Sequence, residues 1–164
     1  MARIHHSRAF TIVLALLINW HSPVLAQSNM DLQITASASE SDTLTLSLAE
    51  LDAMAQVTFT TTTIWTDGDV TFSGVPLKAV LARANKKGSA VEMVALNDYK
   101  VAIPMATIED TVPIIATRMN GEPISVRDKG PYWIVFPYDH DPKYRTETIH
   151  AFSIWQLNRL KVVD

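Results

Sequence analysis

No cysteine occurs anywhere in the 164 residues. Whatever this chain folds into is therefore held by its apolar core and its hydrogen bonds. Disulfides, thiolate-held metal and a cysteine nucleophile are all ruled out. The constraint is sharper because the N-terminus has the three parts of an export signal. Arg3 and Arg8 give a positive start, AFTIVLALLINW over residues 9–20 gives an apolar stretch, and Val24 and Ala26 are the small residues before a cleavage site after Ala26. The apolar run is shorter than the ~20 residues that span a bilayer. Residues 1–26 are thus expected to be a cleaved signal peptide, not an anchor, and the exported domain must manage without the disulfides such domains often use.

Cleavage there leaves residues 27–164, a length that suits one domain with its own core. Arg3 and Arg8 depart with the signal, so 12 basic and 17 acidic side chains remain, a net of −5. A mildly acidic chain with no basic run has no electrostatic footprint for DNA or RNA. No later segment is long and apolar enough to span a membrane, so the expected location is the periplasm or the extracellular medium.

Residues 27–46 read as a leader with a first strand: residues 32–36 alternate weakly, and residues 37–42 look like a polar loop. Residues 47–164 form the domain proper. Ser47-Leu48-Ala49-Glu50 is a capping box opening a short helix over residues 48–54. Residues 57–65, rich in Thr, read as a strand, Asp67-Gly68 as a turn, and residues 70–73 as another strand. A helix follows over residues 77–84 with Leu77, Val80, Leu81 and Ala84 on one face, stopped by Lys86-Lys87-Gly88. Residues 91–96 and 99–103 flank an Asn97-Asp98 turn, and residues 114–119 run into Asn120-Gly121, the strongest turn signal in the chain. YWIVF at residues 132–136, bounded by Gly130-Pro131 and Pro137, reads as a central strand. A polar loop over residues 138–146 precedes an alternating final segment over residues 148–162. The fold class is α+β: a single strand-rich mixed domain with two or three short helices.

Four pieces in order carry a family resemblance: FSGVPLKAVLARA (72–84), VEMVALNDYKVAIP (91–104), IATRMNGEPISVRDKGPYWIVFP (115–137) and SIWQLNRLKV (153–162). Together they resemble the molybdopterin-binding domain of sulfite-oxidase-type oxidoreductases, and the pair Asn120-Gly121-Glu122-Pro123 and Gly130-Pro131 is the most specific element. The resemblance implies a β-core mixed fold and a cleft that in full enzymes holds a molybdenum–pterin cofactor. It also implies a metal-holding cysteine near Thr60 to Thr63, an arginine where this chain has Trp133, and a glycine-containing loop where it has Tyr138-Asp139-His140-Asp141-Pro142. A threonine hydroxyl is no substitute for a soft anionic sulfur at neutral pH, and anion capture needs backbone approach and positive charge. Molybdopterin is the cofactor that the resemblance implies, with no cysteine present to ligate molybdenum.

The candidate ligand-binding set is Thr61, Trp65, Asp67, Tyr99, Arg118, Asn120, Trp133 and Tyr138. For Trp65 and Trp133 a plain core role is the simpler reading. Arg118 lies in an otherwise apolar strand, where a charge needs solvent or a partner. Asp139-His140-Asp141 is read as a solvated loop and not as a metal site shared with His150, and His150, in the alternating final segment, is read as facing solvent. No Gly-x-Ser-x-Gly elbow and no glycine-rich phosphate loop is present. The sequence therefore points to an exported domain without redox metal chemistry that binds a small organic or anionic ligand, or a membrane sensor protein, in an accessory or sensing role. The alternative is a molybdopterin-dependent oxidoreductase subunit with non-cysteine ligation.

Overall fold

In a computed structural model, the structure describes residues 30–36 and 39–164. The expected signal peptide over residues 1–26 and the cleavage point at Ala26 lie outside the described residues.

The strands in chain order are β1 (Leu32–Ala36), β2 (Ser39–Leu46), β3 (Val57–Thr61), β4 (Val70–Pro76), β5 (Ala90–Ala95), β6 (Lys100–Pro104), β7 (Ile114–Met119), β8 (Glu122–Pro123), β9 (Trp133–Val135) and β10 (Leu157–Val163). The helices are α1 (Leu48–Asp52), α2 (Leu77–Ala84) and α3 (Glu147–Phe152). Two sheets result, ordered β2-β1-β10-β5-β6 and β3-β4-β7-β8, with β9 also pairing β7. The first sheet closes N-terminal strand on C-terminal strand, β1 lying parallel to β10. A bridge between Tyr132 and Leu157 stitches the two sheets together. Residues 39–42, expected as loop, belong to β2, and Ser39 pairs with Ala36 of β1.

Local sequence accounts for most of these elements. Ser47 caps α1 and exchanges hydrogen bonds with Glu50, the capping box of the sequence. α2 buries Leu77, Val80, Leu81 and Ala84, the face that the 3.6-residue period selects. It stops one residue before the lysines, at Asn85 in the left-handed region. Asn120 and Gly121 both have positive φ, 52° and 87°, as a two-residue hairpin turn requires. Gly74 is needed for another reason. A Cβ there would stand 2.0 Å from the Ile115 carbonyl oxygen, so β4 and β7 could not approach.

Three further expectations change. β3 ends at Thr61, short of Trp65, because the next backbone N–H is taken by the Asp139 carboxylate. YWIVF is buried throughout but supplies only three strand residues, laddered to β7 alone. Its apolar run reflects burial on both faces, not a central position. The final segment is not one alternating strand: Thr146 caps α3, and β10 begins only at Leu157.

Candidate functional site

At one end of the two sheets the loop after β3, the β5–β6 loop and the stretch through α3 into β10 come together. Their aromatic side chains form a cluster with Trp65 as hub. Trp65 meets Trp133, Tyr138, His150 and Trp155 edge to face, with ring centroids 5.6 to 6.4 Å apart, the geometry that aromatic quadrupoles favour. A hollow of about 330 Å³ opens beside this hub, walled by Trp65, Tyr99, His150 and Trp155, with Asn97 and Ser153 among its polar members. Tyr99 is 56% and Trp155 39% exposed, so two of the walls stand at the rim.

Ser153 forms the floor. Its hydroxyl donates to the Ile149 carbonyl at 2.9 Å and accepts from the Tyr138 hydroxyl at 2.6 Å, while its carbonyl accepts from the Trp133 indole N–H at 3.2 Å. Burial pushes the Tyr138 hydroxyl pKa up to about 12, against the opposing effect of Ser153. Tyr138 therefore stays neutral and cannot act as a base near pH 7.

Across His150 lies a second, polar hollow of about 190 Å³, bordered by Thr62, Thr63, Tyr138, Asp139 and Arg145. Here the Thr62 hydroxyl reaches both Asp139 carboxylate oxygens at 2.9 and 3.1 Å, the Thr61 hydroxyl reaches one at 3.2 Å, and the Thr62 backbone N–H donates to the same oxygen. These donors, the backbone N–H foremost, hold the Asp139 carboxyl below its ordinary pKa. Arg145 donates to the Tyr138 and Asp139 carbonyls at 2.8 and 3.2 Å.

The structure brings together only part of the set singled out from sequence. Trp65 and Tyr99 wall the aromatic hollow, and Tyr138 borders the polar one although it is nearly fully buried. Trp133 is completely buried beneath Trp65, a core residue touching the site from below. Thr61 is buried and committed to Asp139. Asp67 and Asn120 line neither hollow; Asn120 instead accepts from the Thr71 N–H at 3.0 Å, tying the turn after β7 to β4.

Arg118 also lies elsewhere, for a reason local to β7. Ser73 pairs with Arg118 but Gly74 pairs with Ala116, so Thr117 is an extra residue. Such a bulge reverses the alternation of faces. Ala116 shares the face of its partner Trp133, and Arg118 is turned to the other, where it pairs with Asp52.

Sequence reasoning missed Trp155 and Asn97, and it placed His150 in solvent. His150 is on α3 with its ring 5.3 Å from Tyr138 and 5.7 Å from Trp65. The signal that could have found it is Thr146 followed by Glu147, a helix start that puts His150 on a helical turn instead of an alternating strand. His140 goes elsewhere, toward Phe59 at 6.3 Å.

These residues do not fit a molybdenum–pterin group. Where the resemblance places a thiolate, the buried Thr61 hydroxyl and the Thr62 donors already hold a carboxylate that belongs to the chain. Arg145, the cation that borders this hollow, faces Asp139 at 3.5 Å and donates to carbonyls of the same loop, so no uncommitted positive charge awaits an anionic cofactor. The position of the family's arginine holds the buried Trp133 indole.

Residues 20–139 match the profile of a family described as the oxidoreductase molybdopterin binding domain. Among solved structures the chain is similar to the sulfane dehydrogenase SoxCD from Paracoccus pantotrophus, with a TM-score of 0.63 and 19% identity. The alignment covers 84% of this chain and only 39% of that one, and at this identity the likeness is one of fold alone. No curated protein sequence matches. The family match stops at Asp139, so His150, Ser153 and Trp155 lie beyond it.

Proposed function

This chain belongs to the oxidoreductase molybdopterin binding domain family, and from that premise we propose that it keeps the fold without redox metal chemistry. In this reading it is an exported, periplasmic protein that binds a small organic ligand and serves an accessory or sensing role, with a membrane sensor protein as its partner class. One observation carries the loss of metal chemistry: Asp139 occupies the donors of Thr61 and Thr62 at the position of the missing thiolate. The open aromatic hollow on the other side of His150 supports retained binding. The tripartite pattern of residues 1–26 supports export.

Native mass spectrometry and elemental analysis of protein purified from its own periplasm test this reading. The expected result is a chain beginning at Gln27, far less than one molybdenum per chain, and a retained small molecule. Near-stoichiometric molybdenum would establish the competing reading, an oxidoreductase subunit with non-cysteine ligation. Retention of residues 1–26 in the membrane fraction would remove the export claim.

A further inference from the structure

We propose that the hollow between Trp65, Tyr99, His150 and Trp155 binds a small, neutral, planar ring compound whose polar substituent lies across His150, toward Thr62 and Thr63. The proposal rests on the ligand-binding reading above and narrows it to a chemical class.

Shape argues for a ring. The Trp65 and Trp155 planes stand 69° apart and the Trp65 and His150 planes 77° apart, so the hollow is a corner between nearly perpendicular flat walls. A planar ring entering it meets one wall face-on and another edge-on, both favourable arrangements. The volume of about 330 Å³ is at the small end of the range for small-molecule sites, roughly 300–1,000 Å³.

Charge argues for neutrality. No Lys, Arg, Asp or Glu lines the aromatic hollow, so an ion would lose hydration without gaining a counter-charge. Aromatic walls alone can attract a cation, but Lys129 already stands 5.8 Å from the centre of the Trp133 ring, and Trp133 meets Trp155 edge to face. A cation thus already stands on a ring of the same aromatic cluster. In the adjoining hollow Arg145 and Asp139 face each other at 3.5 Å, so that end offers hydrogen bonding without net charge.

His150 joins the two parts, being the residue that borders both hollows. Its imidazole can donate to or accept from a substituent passing over it. The hydroxyls of Thr63 and Thr66 are 2.8 Å apart and interchangeable as donor and acceptor, so this rim adapts to an amide or a hydroxyl group.

The test uses three probes of one shape and different charge: benzamide, benzoate and benzamidinium, titrated into the exported protein while the indole N–H resonances are followed by NMR. Saturable shifts at Trp65 and Trp155, with benzamide bound at least about tenfold more tightly than either ion, are expected; that ratio is about 1.4 kcal/mol. Trp155→Ala should weaken benzamide several-fold, and Trp155→Phe should restore most of the loss. Tighter binding of either ion overturns the class assignment and leaves the broader ligand-binding reading standing. Absence of saturation by all three, or a Trp155→Ala variant that binds benzamide unchanged, overturns the site itself. A co-purified molecule in native mass spectrometry bears separately on the broader reading.

Discussion

Arg118 and Asp52 meet fork to fork, Nη1 on Oδ1 at 2.6 Å and Nη2 on Oδ2 at 2.9 Å. Asp52 is the last residue of α1 and Arg118 lies near the end of β7, so the pair fastens the first helix to the second sheet. With the two side chains 30% and 32% exposed, the pair is only partly screened. Arg118→Ala should cost about 1–2 kcal/mol, below the full ~1.5–3 of hydrogen bonds to a charged group. Arg118→Lys should recover only part, since an ammonium cannot fork. Denaturant melts read both, and probe binding in the aromatic hollow should be unchanged. A benzamide affinity that falls with Arg118→Ala while stability holds would return Arg118 to the ligand site.

Asp139 makes the stability of its loop pH-dependent. A carboxyl held below its unfolded pKa contributes stability that is complete above the unfolded value of about 3.9 and is lost as pH falls through the folded value. Asp139 is such a group, held down chiefly by the Thr62 N–H. Asp139→Asn should therefore melt lower than the parent near pH 7, with the gap closing as pH falls below about 4. Other depressed carboxyls, Glu50 and Glu109 among them, act equally in both proteins and cancel in the difference. A gap that stays constant from pH 7 to 3 would show that the Asp139 charge is not what holds the loop.

Trp133 and Trp155 should separate cleanly on mutation. Trp133 is fully buried and its indole N–H is bonded to the Ser153 carbonyl; truncation to Ala should cost about 3–5 kcal/mol. Trp155, at the rim, should cost no more than about 1 kcal/mol and show its effect in probe binding. Equal losses of melting temperature would mean that the rim is part of the core.

Restoring the missing sulfur alone should not restore metal. Thr61 is buried and faces Asp139, so a Thr61→Cys thiolate would lie against a carboxylate whose neighbouring cation, Arg145, is already engaged with that carboxylate and with carbonyls of its loop. Protein of this variant made in a molybdenum-replete host should hold far less than one molybdenum per chain. A stoichiometric load would show that the cysteine was the only missing part.

Sequence and fold diverge at identifiable places. Wherever the signal is local, the chain spells it out. Ser47 and Glu50 announce α1, the 3.6-residue spacing of Leu77, Val80, Leu81 and Ala84 announces α2, and Asn120-Gly121 announces the β7–β8 turn. Each depends on residues within a few positions of one another, and so does the family's motif pattern. What only the tertiary structure decided is which side chains share a space. One extra residue in β7, Thr117, turned Arg118 away from the face of Trp133. A contact spanning 77 residues put Asp139 on Thr62. The close of two sheets laid His150 and Trp155 beside Trp65. Facing in a strand depends on the parity of every residue before it, and contacts between distant segments have no local signature at all, so the elements, and Trp65 and Tyr99 as single residues, could be picked out in the sequence while their assembly with His150 and Trp155 could not.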